Sequence, residues 1–119
     1  NYITKTEQSA VVWCILNRVD AGYGTIEAVI TAPNQFYGYK EKHPVDEEIE
    51  ALTVDVLERW YREQNGESEV GRTLPKEYRW FVGNSKHNYF YDAWNERWSQ
   101  SYWKWELGNP YGEEVAYGL

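Results

Sequence analysis

The chain has 119 residues, 19 Asp and Glu against 12 Lys and Arg, a formal charge of −7, and an aromatic content of 7 Trp, 11 Tyr and 3 Phe. Such a length predicts a single domain over residues 1–119, and the apolar and aromatic content is enough to bury a core, which excludes wholesale disorder. A pI near 4.8 with no basic run argues against duplex nucleic acid or an anionic membrane surface as partner. The lone Cys14 excludes an internal disulfide, and no apolar run approaches the roughly 18 residues of a membrane span. The sequence starts at Asn1 and contains no Met, as expected of a processed product, an excised domain or a trimmed piece.

Thr4-Lys5-Thr6-Glu7 has the form of a capping box, in which the Thr4 hydroxyl and the Glu7 carboxylate each satisfy the other residue's backbone N–H. A helix should follow, from Gln8 to about Asp20. Its apolar residues (Ala10, Val11, Val12, Trp13, Cys14, Ile15, Leu16, Val19) cover nearly the whole circumference, so it should be buried on most sides. Ala21-Gly22-Tyr23-Gly24 ends it, and Thr25 can cap a short second helix through Ile30, stopped by Pro33. Asn34 to Pro44 has no helical period and reads as a surface loop. Asp46 should cap a long helix to about Gln64, with Ile49, Leu52, Val56, Leu57 and Trp60 on its inward stripe. Asn65-Gly66 supplies the stop, and Glu67 to Pro75 reads as a polar loop. Tyr78–Val82, the turn signal Gly83-Asn84-Ser85 and Tyr89-Phe90-Tyr91 predict a small hairpin in an aromatic-rich C-terminal third. The fold class is therefore α+β and mostly helical, with a small β or irregular segment last.

Metal ligation has no support in the spacing. His43 and His87 stand far apart with no His-Glu-x-x-His or Cys-x-x-Cys pattern, and both read as solvated surface residues; no cofactor is implied. Cys14, in the middle of an apolar helix, reads as a small hydrophobe rather than a nucleophile. Glu47, Glu48, Glu50 and Glu58 sit at polar helical positions and read as solvated. Carboxylates are the groups that glycoside cleavage needs, as an acid of raised pKa protonates the leaving oxygen. Glu7 is the internal candidate for that acid, although capping explains it more economically. Aromatic faces with amide side chains suit the apolar faces and hydroxyl rims of sugars, and Gln35, Phe36, Tyr37, Tyr39, Asn84, Asn88, Tyr89 and Trp94 offer that chemistry. Packing in a core short of aliphatic side chains explains the same aromatics.

The run from Ala10 to Val19 ending Leu16-Asn17-Arg18-Val19, followed by Val29-Ile30, Pro33 and Gln35-Phe36, resembles the SleB-type cell-wall hydrolases, the spore-cortex-lytic enzymes and related bacterial and phage peptidoglycan hydrolases. The resemblance covers residues 5 to about 40. His87-Asn88-Tyr89-Phe90 looks like that family's late Gly-x-His-x-Phe element, with Asn88 where its His would fall. It implies a lysozyme-like domain that cuts peptidoglycan glycan strands between N-acetylmuramic acid and N-acetylglucosamine. One Glu would act as general acid, by hydrolysis or by transglycosylation to an anhydro sugar. The domain would work at the cell wall, outside the cell, or with a phage particle. The family's acid lies in a Glu-Ala-Arg-Gly-type segment, which by counting back from Gln8 falls about three residues before Asn1. The chain by itself is therefore expected to lack its native N-terminal helix and to cleave little glycan, although the parent protein is an enzyme. The competing expectations are a wall-polysaccharide-binding module without activity and a purely structural or protein-interaction domain.

Overall fold

A computed structural model describes residues 4–25, 27, 47–83, 87–92, 102–107 and 110–112. Among these lie two helices, α1 (Lys5–Asp20) and α2 (Glu47–Gln64), followed by two strands, β1 (Trp80–Gly83) and β2 (Asn88–Tyr91). The strands form an antiparallel pair in the register Trp80↔Tyr91, Phe81↔Phe90, Val82↔Tyr89 and Gly83↔Asn88. The domain is thus α+β, as its sequence predicts. The short second helix and the Asn34–Pro44 loop fall almost entirely outside the described residues. No helix among the described residues is long and apolar enough to cross a membrane.

Helix α1 is the core. Between Thr6 and Asn17 every side chain except Gln8 is buried, so the continuous apolar run does surround the helix. At its end Gly22 takes φ +92, a left-handed conformation open to glycine, and the Gly22 N–H donates to the Val19 carbonyl. Helix α2 lays Leu52 and Val56 into the same core, with Leu57 and Trp60 partly buried against it. Asn65 and Gly66 close α2 as expected, the Gly66 N–H donating to Glu63 and the Glu67 N–H to Arg62.

The segment from Glu67 to Pro75 is the loop that the sequence predicts, though not polar throughout. It is irregular, but Val70, Thr73 and Leu74 are buried. Arg72 holds it. Its guanidinium meets Glu63 through two bonds of 2.7 and 2.8 Å, donates to the Asn17 side chain and the Leu74 carbonyl, and stacks 4.2 Å above the Trp13 ring. Arg72 and Glu63 are largely buried, and the paired geometry compensates their desolvation. Asn17 continues the network by donating to the carbonyls of Pro75 and Tyr78, while Arg18 donates to that of Arg79. The Asn-Arg pair of α1 therefore fixes the chain leading into β1. Beyond β2, Trp103 donates its backbone N–H to Phe90, and Phe90, Trp103 and Trp105 pack ring against ring beneath the hairpin.

Candidate functional site

The site grows from the first turn of α1. Thr4 is the N-cap: its hydroxyl accepts the Glu7 N–H at 3.2 Å, which is half of the predicted capping box. The other half is not made in the predicted way. The Glu7 carboxylate turns away from the cap to the head of β2, where Oε2 accepts the Asn88 backbone N–H at 2.7 Å and lies 3.4 Å from the Asn88 side-chain nitrogen. Its other oxygen, Oε1, lies 3.0 Å from His87 Nδ1. Glu7 is only 1% exposed.

Gly83 helps to set this geometry. It stands opposite Asn88 in the register, and a Cβ there would come within 2.9 Å of the Asn88 side-chain oxygen. The missing side chain leaves room for the amide that reaches Glu7. On the far side of α1 from Glu7, the Ser9 hydroxyl bonds the Thr73 hydroxyl at 2.7 Å and the Trp103 indole donates to the Thr73 carbonyl, which ties the helix to the segment before β1.

Burial raises the Glu7 pKa above its ordinary value, and this outweighs the contacts with His87 and Asn88 that lower it. Because Oε2 already accepts a backbone N–H, a proton on this carboxyl belongs on Oε1, facing His87. The 3.0 Å contact with Nδ1 needs one proton between the two groups, whichever of them carries it. His87 is therefore not the solvated surface residue that its sequence suggests; its side chain is 22% exposed and half-buried against Glu7. The arrangement is a sealed carboxyl of raised proton affinity, coupled to an imidazole nearer the surface. Such a pair can hold a proton and orient a ring, but Glu7 itself is too deep to touch a sugar.

Of the other sequence candidates, Asn88 joins Glu7 directly. Tyr89, the next residue of β2, belongs to the opposite face of the hairpin, where it meets Tyr102 edge-on at 5.0 Å. Gln35, Phe36, Tyr37, Tyr39, Asn84, Trp94 and His43 lie outside the described residues. Cys14 is buried, and burial pushes its thiol up to about 12, as suits an inert core residue. Glu50 and Glu58 are exposed. Among the described residues no three His, Cys, Asp or Glu side chains gather that could hold a metal ion. Sequence reasoning missed His87, whose one signal was its place beside Asn88 in the late aromatic element.

No family model matches this chain, and neither a curated protein nor a solved structure matches it.

Proposed function

We propose that this domain belongs to an enzyme that cleaves peptidoglycan glycan strands between N-acetylmuramic acid and N-acetylglucosamine, on a lysozyme-like fold with a single carboxylic acid as proton donor. One observation carries the reading. The helix and the late element on which the SleB-type resemblance rests are some eighty residues apart in sequence, yet Glu7 of the first meets His87 and Asn88 of the second. The head of α1 is also the end at which the resemblance sets the family's acid.

In this reading Glu7 is a positioning residue. It fixes the His87 ring and the start of β2, and burial raises its proton affinity. By the resemblance, the leaving oxygen would take its proton from a Glu placed ahead of α1, and for transglycosylation the muramic acid 6-hydroxyl would then close on the anomeric carbon. His87 stands one residue before Asn88, which occupies the position of the family's His.

The test compares purified peptidoglycan incubated with this chain and with the chain carrying its native upstream residues, soluble muropeptides being measured by mass spectrometry. The extended form should release them and the chain alone very little. Exchanging the upstream Glu for Gln should cost about 10²- to 10⁴-fold, and Glu7→Gln up to about 10²-fold through misplacement. Robust release by the chain alone would instead make Glu7, acting through His87, the source of the proton. Tight glycan binding without release by either form would overturn the enzymatic reading in favour of a wall-polysaccharide-binding module. Failure to bind any glycan would leave a structural or protein-interaction domain.

A further inference from the structure

The outer face of the hairpin carries a second cluster. Alternation along β2 puts Asn88 and Phe90 on one face, toward Glu7 and the core, and Tyr89 and Tyr91 on the other, where Tyr91 is itself buried and Tyr89 half-buried. Trp103 is buried with Phe90, so its neighbours Tyr102 and Lys104 fall on the outer side, and Tyr102 meets Tyr89 there. Val82, paired with Tyr89, is 42% exposed on the same face. Tyr91 belongs to the group too: burial raises its pKa, and the neighbouring Tyr102 and Tyr89 raise it further. Lys104 is exposed, with its ammonium 3.4 Å from the Tyr102 ring centroid.

Aromatic rings with hydroxyls at their tips suit a polyhydroxylated ligand with apolar faces. The Lys104 ammonium at the edge suits a carboxylate, whereas a polyanion would be repelled by the chain's charge of −7. We infer that Tyr89, Tyr102 and Lys104 form a subsite for a carboxylate-bearing sugar of the glycan, with Lys104 selecting the acid over a neutral amino sugar. This deepens the glycan-strand reading and rests on it. The carboxylate could be the lactyl acid of a stem-free muramic acid or a carboxyl of the attached peptide; the ammonium recognises the same chemistry in both.

Calorimetric titration of the chain with three probes tests this: chitobiose, the N-acetylglucosamine–N-acetylmuramic acid disaccharide with a free lactyl acid, and the same disaccharide carrying its peptide. At least one acidic probe should bind about two- to fivefold more tightly than chitobiose, as one exposed ion pair allows. The acid that shows the preference identifies the source of the carboxylate. Lys104→Gln should abolish the preference while leaving chitobiose binding in place. Tyr102→Phe, which keeps the ring and removes the hydroxyl, should weaken all three probes alike. Equal affinity for acidic and neutral probes, or a preference that survives Lys104→Gln, would overturn the subsite even if the domain releases muropeptides. Loss of muropeptide release with the preference intact would overturn only the enzymatic reading.

Discussion

Replacing Glu7 by glutamine isolates the electrostatics of the site from its shape. Glutamine keeps the volume and an oxygen for the Asn88 N–H but cannot ionise. In the folded protein burial raises the Glu7 pKa above the ordinary 4.5, so the folded state binds this proton more tightly than the unfolded chain does. The resulting stabilisation is fully present below about pH 4.5 and is lost as pH rises through the folded-state value. Each unit of elevation corresponds to about 1.4 kcal/mol. Urea unfolding of wild type and Glu7→Gln from pH 3.5 to 8, followed by tryptophan fluorescence, gives the difference directly. Wild type should lose stability relative to the variant as pH rises, by about 1.4 kcal/mol per unit of elevation. Titrating groups that do not touch Glu7 are common to both proteins and cancel. In a His87→Asn background the loss should grow, because the His87 contact lowers the Glu7 pKa. A difference that is flat with pH, or that moves in favour of wild type as pH rises, would refute the reasoning: the bonds from His87 and Asn88 would then outweigh burial.

Glu63 should act with the opposite sign. Its bonds to Arg72 hold its pKa below the ordinary value, so its contribution is present above about pH 4.5 and is lost as pH falls through the depressed value; Glu63→Gln should flatten that acid limb in the same urea series. Arg72→Met leaves the Glu63 carboxylate without its partner and should cost about 3–5 kcal/mol in urea unfolding, whereas Arg72→Lys, unable to span Glu63, Asn17 and the Leu74 carbonyl together, should recover little of it. Asn17→Leu strands the carbonyls of Pro75 and Tyr78 and should destabilise by about 2–4 kcal/mol, with amide exchange accelerated first in β1. Cys14 should resist a maleimide in the native protein and react at once in urea; fast native labelling would contradict its burial in α1.

The readable parts of this fold are those set by local sequence. Thr4 caps α1 because a hydroxyl one residue ahead of the helix can reach the N–H three residues on, and the stripe of Leu52, Val56 and Trp60 orients α2 without outside help. The hairpin followed from its turn signal. The destination of the Glu7 carboxylate was not readable, because a reciprocal capping box and a long-range bond to β2 share the same local sequence. Only the tertiary fold brings Asn88 within 2.7 Å. The same holds for residues 67–75: the polar composition predicted a loop, while Arg72 draws Val70, Thr73 and Leu74 into the core through partners on α1 and α2. Asn88-Tyr89-Phe90-Tyr91 conceals its own faces, since aromatics occupy both sides of the strand and leave no polar alternation to show which rings are buried.

The proposed glycan-strand role of the cluster of Glu7, His87 and Asn88 is tested most directly by nuclear magnetic resonance, titrating the labelled chain with chitotetraose. The His87 imidazole and the backbone amides of Asn88 and Tyr89 should shift most, and Glu7→Gln should reduce those shifts. Shifts confined to the outer surface of α2, or none at millimolar ligand, would contradict the glycan-strand reading.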